Sequence, residues 1–193
     1  MDDRLRATIG QARKGDAEGF RALLKAYGPR LYGYFFRATG RHHDAEDLLG
    51  ELMLRLVRRL KSYDERGRFD QWLFRIAANM VRDRIRRRRA APNVLSFTPD
   101  DEDAPQPAEQ VPGREPAVEA GVLAEEVSAD LQQALERLEP TTRQMVLLRH
   151  FGQMSFKEIA GMFGCPLGTV LARVHRGLRK LRELMGEIGR AHV

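Results

Sequence analysis

Hydrophobic residues recur every three or four positions along most of the chain, which is the spacing of one face of an α-helix. Asp16 is placed to cap a first long helix, which passes Gly28-Pro29 with some disturbance and is closed by Gly40. Asp44 and Asp70 are placed to cap two more helices, with apolar faces that run to Leu60 and Ile85. The alternating pattern of a β-strand does not occur, so the sequence predicts an all-α fold.

The helical pattern stops between residues 92 and 116. This segment holds six prolines and the run Asp100–Asp103, and neither feature supports a persistent helix or strand. Helical spacing returns at Val118 and continues as four segments to Met185. The sequence therefore predicts two small helical domains, 1–91 and 117–193, joined by a flexible, acidic, Pro-rich linker over 92–116.

The net charge of +6 is distributed unevenly over 193 residues. Residues 1–91 carry +10, residues 92–139 carry −10 and residues 140–193 carry +6. Two basic blocks around an acidic one are typical of two modules that bind a polyanion. The single cysteine excludes an internal disulfide and a multi-cysteine zinc site. Because no apolar run approaches the roughly 20 residues of a membrane span, we expect a cytoplasmic protein without metal or cofactor.

The most specific local pattern lies in residues 155–181. Ala160, Gly164 and Val170 have the small, turn and branched positions of a helix-turn-helix, and Ser155 precedes Glu158 at capping-box spacing. On the second helix, the inward stripe is predicted to be Val170, Val174, Leu178 and Leu181. The outward face is predicted to hold Thr169, Ala172, Arg173, Arg176 and Lys180. That face suits a recognition helix in the DNA major groove, and a helical hairpin with a solvated basic face is the alternative.

Two patterns in the N-terminal half have more than one interpretation. Asp44, Asp47 and Glu51 share a helical face, which is either a solvated helix N-terminus or an acidic patch for a basic partner. A metal site at the neighbouring histidines is the least favoured interpretation. A stripe of Arg75, Asn79, Arg82, Arg86 and Arg89 suits contact with phosphates.

Aromatic residues lie near that stripe in the sequence. Tyr63, Phe69 and Trp72 are either platforms for unstacked bases or parts of the core. Trp72 is favoured as core, and Tyr63, in a polar turn, is the better candidate to touch a base.

Taken together, the two halves resemble bacterial sigma factors of the extracytoplasmic-function group. DAEDLLGELMLRL from Asp44 and FDQWLFRIAANMVRDRIRRRR from Phe69 are similar to region two, which docks on polymerase and melts promoters. LEPTTRQMVLLR from Leu138 and the segment 155–182 are similar to region four. The resemblance covers roughly residues 16–91 and 120–185, in the expected order.

The resemblance implies a function and a set of site residues. The chain would bind core RNA polymerase at the clamp helices of the largest subunit and at the flap, and would direct initiation at promoters. An anti-sigma factor is a further expected partner. The expected polymerase contacts are Asp44, Asp47, Leu48, Glu51, Leu52 and Arg55. The expected minus-ten contacts are Ser62, Tyr63, Arg66, Phe69, Arg75, Asn79, Arg82 and Arg86. The expected minus-thirty-five contacts are Ser155, Thr169, Ala172, Arg173, His175, Arg176 and Lys180.

Two positions depart from the family pattern. Leu171-Ala172 stand where the family often has Lys-Ser, so promoter sequence cannot be carried over. Gly50 stands where glutamine is common, which puts one docking contact in doubt. The main competing function is a stand-alone helix-turn-helix regulator, which leaves the acidic helix and the arginine stripe without a purpose. An enzyme such as a recombinase is disfavoured because the sequence offers no phosphate loop and no nucleophile with a base.

Overall fold

A computed structural model describes residues 3–64, 67–90 and 128–191, and it is helical in each range. The N-terminal half comprises α1 (Asp3–Arg13), α2 (Ala17–Thr39), α3 (His42–Arg59), a 3₁₀ turn (Leu60–Ser62) and α4 (Phe69–Ala90). The C-terminal half comprises α5 (128–136), α6 (Pro140–His150), α7 (Phe156–Phe163) and α8 (Leu167–Ala191). The predicted all-α fold is confirmed. The predicted linker 92–116 lies outside the described residues, and the domain boundaries stay a prediction.

Helix α2 begins and ends where the sequence predicts. The Asp16 carboxylate accepts a hydrogen bond from the Glu18 amide at 3.2 Å, which satisfies one free N–H of the first turn. Gly40 ends the helix with φ 77°, and its N–H donates to the Phe36 carbonyl. The helix runs without interruption through Pro29, so the disturbance expected there is not seen.

The predicted caps of the next two helices are wrong. Helix α3 begins at His42 and α4 at Phe69, so Asp44 and Asp70 lie inside the first turns. Both carboxylates are engaged elsewhere: Asp44 binds arginines of α4, and Asp70 accepts from the Tyr27 hydroxyl at 2.6 Å and from Arg30 at 2.8 Å. The bonds of both carboxylates to these distant partners replace the N-cap bonds that the local sequence predicts.

The C-terminal half contains the predicted helix-turn-helix. Ser155 and Glu158 form a capping box at the start of α7, and Gly164 ends α7 with φ 62°. Val170, Val174 and Leu181 are all buried. Leu178 was placed on the inward stripe, and this is wrong because its side chain is 47% exposed.

Gly177 takes the inward position expected for Leu178. Gly177 lies seven residues after Val170, two helical turns, whereas Leu178 is displaced by a further 100° or so. A Cβ atom on Gly177 would lie 2.8 Å from Cγ2 of Thr142. The missing side chain therefore lets α8 approach α6 closely.

The hydrophobic core is continuous from one half into the other. Buried residues of α2 and α4 belong to the same cluster as buried residues of α6, α7 and α8. We call the contact of α2 and α4 with α5, α6, α7 and the turn after α6 the seam. Among the described helices, none is long and apolar enough to cross a membrane.

Candidate nucleic-acid interface and docking face

One exposed face of α3 combines acidic and apolar side chains. Asp47, Glu51 and Leu54 are spaced by four and three residues, which places them on the same side of the helix. The Glu51 carboxylate binds Arg55 at 2.5 Å, and both side chains remain partly exposed. Leu54 is 65% exposed and Val57 is 49% exposed. We call Asp47, Glu51, Leu54, Arg55 and Val57 the α3 face.

Sequence reasoning missed the apolar part of this face. The sequence pattern placed neither Leu54 nor Val57 on an exposed surface. Helical periodicity could have identified Leu54 as exposed, because it lies off the buried stripe that runs through Leu48, Leu52 and Leu56. Large apolar side chains exposed beside charged ones are typical of a protein-binding surface.

Three of the residues expected to contact polymerase are buried instead. Leu48 and Leu52 are at most 1% exposed and belong to the core. Asp44 is 3% exposed and its carboxylate is bound by the guanidinium groups of Arg84 and Arg88. Burial opposes ionisation, but these bonds outweigh it and hold the pKa of Asp44 below its ordinary value. Asp44 therefore joins α3 to α4 and is not available to a partner in this structure.

In the described part of the α4 stripe, three side chains are exposed and one is partly covered. Arg75, Asn79 and Arg86 are exposed, as expected of residues that contact phosphates or a base. Arg82 is half-buried: it donates to Oδ1 of Asn79 and, at 3.2 Å, to the main-chain carbonyl of Met162. The side chain of Arg89 and the residue Arg66 lie outside the described part of the chain.

The aromatic residues near this stripe form a cluster in the core. The ring centroid of Tyr63 lies 5.3 Å from that of Phe69 and 4.7 Å from that of Trp72. Tyr63 is 6% exposed and Phe69 is 1% exposed, so neither ring is open to a base in this structure. The expectation that Tyr63 and Phe69 contact a base is therefore corrected. Burying both aromatic rings in the core is more favourable than leaving Tyr63 exposed among its polar sequence neighbours. Ser62 is exposed and its hydroxyl donates to the Arg59 carbonyl at 2.9 Å.

The outward face of α8 is exposed at most of its positions. Ala172, His175, Arg176 and Lys180 are exposed, whereas Thr169 and Arg173 are half-buried. Arg173 binds Glu139 at 2.9 Å. Ser155, also expected to contact DNA, is exposed, but its hydroxyl is engaged in the capping box. The residues described here contain no group of His, Cys, Asp and Glu that would hold a metal.

Both halves match known families. Residues 23–91 match Sigma-70 region 2, and residues 128–181 match Sigma-70, region 4. Over 177 residues the chain is 34% identical to RNA polymerase sigma factor CarQ of Myxococcus xanthus, covering 91% of this chain and 94% of that protein. The chain belongs to the extracytoplasmic-function group of sigma-70 factors.

Other relatives agree with this assignment. The sigma factor is 29% identical to ECF sigma factor SigW of Bacillus subtilis over 97% of its own length and 100% of that protein. It is 35% identical to ECF sigma factor SigE of Mycolicibacterium smegmatis, over a stretch that covers 86% of this chain and 61% of that protein. A solved structure, of CnrH in complex with the cytosolic domain of CnrY, has the same fold, with a TM-score of 0.63 and 24% identity over 94% of this chain and 97% of that one.

The family assignment fixes the general activity of the sigma factor: it directs promoter-specific transcription initiation. Region 2 corresponds to α2, α3 and α4, and region 4 corresponds to α5 through α8 up to residue 181. The α3 face and the α4 stripe therefore lie in region 2, and the outward face of α8 lies in region 4.

Glu139 joins the start of α6 to α8 within region 4. Its carboxylate accepts hydrogen bonds from the amides of Thr141 and Thr142, both at 2.9 Å, in addition to the bond from Arg173. Burial opposes ionisation, but the bonds from both threonines outweigh it and lower the pKa of Glu139 to about 2. The charged form of Glu139 is thus favoured by folding.

We expect Glu139→Gln to remove one component of the pH dependence of stability. Because folding lowers the pKa of Glu139, its contribution is complete above the ordinary pKa of 4.5 and is lost as the pH falls toward 2. Urea unfolding of the wild type and the variant at pH 7 and pH 3 gives the free energy of unfolding of each at both pH values. The stability difference between them should be smaller at pH 3, and an equal difference at both values would contradict the assignment.

Proposed function

We propose that this sigma factor divides initiation among three surfaces: the α3 face docks on core RNA polymerase, the α4 stripe engages the minus-ten element, and α8 reads the minus-thirty-five element. The observation that carries the proposal is that one chain presents both matched regions, each with an exposed charged face. The polymerase performs the chemistry, and the sigma factor contributes specificity. It would therefore act in the cytoplasm, where bacterial polymerase and promoters are found.

The α3 face supplies the polymerase contact in this proposal. Asp47 and Glu51 offer charge to the clamp helices of the largest subunit, and Leu54 and Val57 offer apolar area. Burial of such side chains in an interface contributes affinity, while the carboxylates set orientation and the rate of encounter. Region 4 would make a second polymerase contact, at the flap.

The α4 stripe supplies the contact with the opening duplex. The Asn79 amide has donors and an acceptor that suit the edge of a flipped base, and Arg75 and Arg86 are exposed to bind phosphates on either side. Capture of a base offsets an unstacking cost of a few kcal/mol. Ser62, exposed in the 3₁₀ turn between α3 and α4, is the remaining described candidate from the preceding turn.

The outward face of α8 supplies duplex recognition. Arg176 is exposed and its guanidinium is suited to a bidentate contact with guanine in the major groove. Thr169, Ala172, Arg173 and His175 would lie nearby, with Lys180 toward the phosphates. Because Leu171-Ala172 offers no cation and no hydroxyl, the bases that this factor reads should differ from those of relatives with Lys-Ser.

An anti-sigma factor is the third proposed partner. A solved structure of the same fold, a sigma factor RpoE of Bartonella quintana in complex with the anti-sigma factor NepR, has a TM-score of 0.62 and 22% identity over 88% of this chain and 98% of that one. The exposed apolar residues of the α3 face give such an inhibitor a surface that it would share with polymerase.

Transcription by purified core polymerase on fragmented bacterial DNA tests the proposal. Core polymerase with the wild-type factor should give discrete transcript starts, and Arg176→Ala should reduce their yield by about 5- to 160-fold, since one bidentate base contact contributes about 1–3 kcal/mol. Arg21→Ala, on α2 and away from all three surfaces, is the matched control and should leave the yield unchanged. Duplex binding by the chain without any polymerase-dependent transcript would establish the stand-alone regulator instead.

A further inference from the structure

Two pockets lie side by side in the cleft between α4 and α6. One has a volume of about 260 Å³ and the other a volume of about 210 Å³. Ile85 of α4 and Pro140 of α6 line both of them, so the pockets meet at an apolar waist. Two arginines line the larger pocket and three line the smaller one. A ligand that extends through both pockets would meet apolar groups at its middle and guanidinium groups along its length.

The larger pocket is lined by a residue with an unpartnered hydrogen-bond acceptor. Gln144 of α6 is 3% exposed, and its Oε1 atom is buried without a hydrogen-bond partner among the described residues. A buried acceptor that stays unpaired costs free energy, which a ligand with an N–H group recovers by donating to it. The last torsion of a glutamine side chain is soft, so the amide can turn Oε1 toward the pocket without a change in the backbone.

The other walls of the larger pocket suit a planar ring. The Phe163 ring lines this pocket, and the guanidinium of Arg82 lies 5.2 Å from the centre of that ring. Aromatic rings and guanidinium planes both stack with conjugated rings such as nucleobases. Together with Ile85 and Pro140, they surround the Gln144 acceptor with apolar and π surface. This combination suits a nucleobase that carries N–H groups on its edge.

The smaller pocket suits phosphate groups. Arg84, Arg88 and Arg143 line it, and each guanidinium has five N–H donors. The described bonds of Arg84 and Arg88 to carboxylates of α3 use only the Nη2 atom of each side chain. Nε of Arg143 is buried and has no acceptor among the described residues. A phosphate group offers several charged acceptor oxygens, which form strong hydrogen bonds with arginines.

Carboxylates behind the arginines determine how much charge the ligand must carry. Asp44 and Asp47 bind two of the arginines from α3, and Glu136 is close enough to Arg143 to act on its charge. None of these three carboxylates lines either pocket. They reduce the net positive charge of the cleft, so a singly charged anion would be attracted only weakly. Several phosphate charges close together would bind more tightly.

We propose that this cleft is a binding site for a free nucleoside polyphosphate, with the base in the larger pocket and the phosphate groups in the smaller one. In this arrangement an N–H group of the base donates to Oε1 of Gln144, and Arg88 and Arg143 bind phosphate oxygens. The ribose lies at the waist, between Ile85 and Pro140. The inference goes beyond the three surfaces assigned to initiation and does not depend on them.

The variant Gln144→Leu tests the contact with the base. Leucine is similar in size and replaces a buried acceptor that has no partner, so the free energy of unfolding in urea should not fall. Isothermal titration calorimetry of the full chain with ATP, GTP, CTP and UTP should show one site for at least one of them. Its affinity should fall about 2- to 13-fold in the variant, the range expected for one neutral hydrogen bond.

Inorganic tripolyphosphate separates the base from the phosphates in the same experiment. It lacks the base, so the wild type should bind it at least about fivefold more weakly than the preferred nucleotide, since stacking of one base contributes this much. Gln144→Leu and the wild type should bind tripolyphosphate equally well.

Arg88→Ala and Arg87→Ala form a matched pair for the phosphate contact. The two arginines are adjacent on α4 and both are exposed, but Arg88 lines the smaller pocket and Arg87 lines neither. Arg88→Ala should lower the affinity for nucleotide and for tripolyphosphate about tenfold, as expected for a hydrogen bond between charged groups. Arg87→Ala should bind both like the wild type. Circular dichroism establishes that each variant keeps its helix content.

Four results would overturn the proposal. The first is that none of the nucleotides binds at concentrations up to about 1 mM, which corresponds to only about 4.1 kcal/mol. The second is that tripolyphosphate binds as tightly as the nucleotides, which would leave no role for the base. The third is that Gln144→Leu, or Arg88→Ala relative to Arg87→Ala, leaves nucleotide affinity unchanged. The fourth is that Gln144→Leu weakens binding of a short oligothymidylate as much as that of the nucleotide, which would assign the cleft to a nucleic-acid strand.

Discussion

The variant Asp47→Arg/Glu51→Arg is expected to lose co-elution with purified core RNA polymerase. It reverses the charge of two exposed carboxylates on α3 of this sigma factor. The two residues share one face with Leu54, and the proposed partner surface is basic. Reversal replaces attraction by repulsion at the centre of the contact, and like charges placed together in an interface cost several kcal/mol. We expect the dissociation constant to rise about 100-fold, which is about 2.7 kcal/mol.

A second double variant controls for the change in overall charge. Glu18→Arg/Glu183→Arg alters the net charge by the same amount at exposed positions on α2 and α8, away from the α3 face. It should co-elute like the wild type. Equal retention of both double variants would remove the α3 face from the docking surface, provided that circular dichroism shows both to be folded.

Removing the carboxylate of Asp44 is expected to have the largest effect on stability of any single change discussed. Asp44→Ala leaves the guanidinium groups of Arg84 and Arg88 without their shared buried partner. Loss of one member of a buried ion pair costs 3–5 kcal/mol, and because both arginines are partly exposed we expect about 3 kcal/mol, measured by urea unfolding. Since folding lowers the pKa of Asp44, its contribution is present at neutral pH and declines as the pH falls through its folded-state pKa.

Asp47→Ala is the matched comparison for this effect. Asp47 binds the same Arg84 at 3.2 Å, but its side chain is 47% exposed, so its loss should cost no more than about 1 kcal/mol. The two variants should also differ in their affinity for core polymerase. Asp44→Ala should bind polymerase normally once folded, whereas Asp47→Ala should bind it less tightly. The reverse pattern would return Asp44 to the docking surface.

Local chemistry was sufficient to predict most helices and the helix-turn-helix. Asp16, Gly40, the Ser155–Glu158 capping box and Gly164 act on backbone groups a few residues away, so their geometry follows from the sequence around them. Helical periodicity also separated most buried from exposed positions on α4 and α8. The family motifs then supplied the order of the two regions.

The site could be predicted only in part because burial depends on partners distant in sequence. Asp44 has the same local signature as an N-cap, yet its partners are 40 and 44 residues away on α4. Tyr63 lies in a polar turn, and only the folded chain shows that its ring contacts Phe69 and Trp72. The error at Leu178 is of a different kind, because a stripe of large residues was assumed to continue where a glycine allows α8 to approach α6.

The polar bonds of the seam respond to ionic strength differently from those of DNA binding. Arg30, Arg37 and Arg82 donate across the seam to main-chain carbonyls, which carry no net charge. Dissolved ions screen attraction between net charges, and protein–DNA affinity falls steeply with salt because bound counterions are released. Added salt should therefore weaken binding to DNA far more than it weakens the packing of the two halves at the seam. A salt titration should thus release DNA from the sigma factor at concentrations at which its two halves remain packed together.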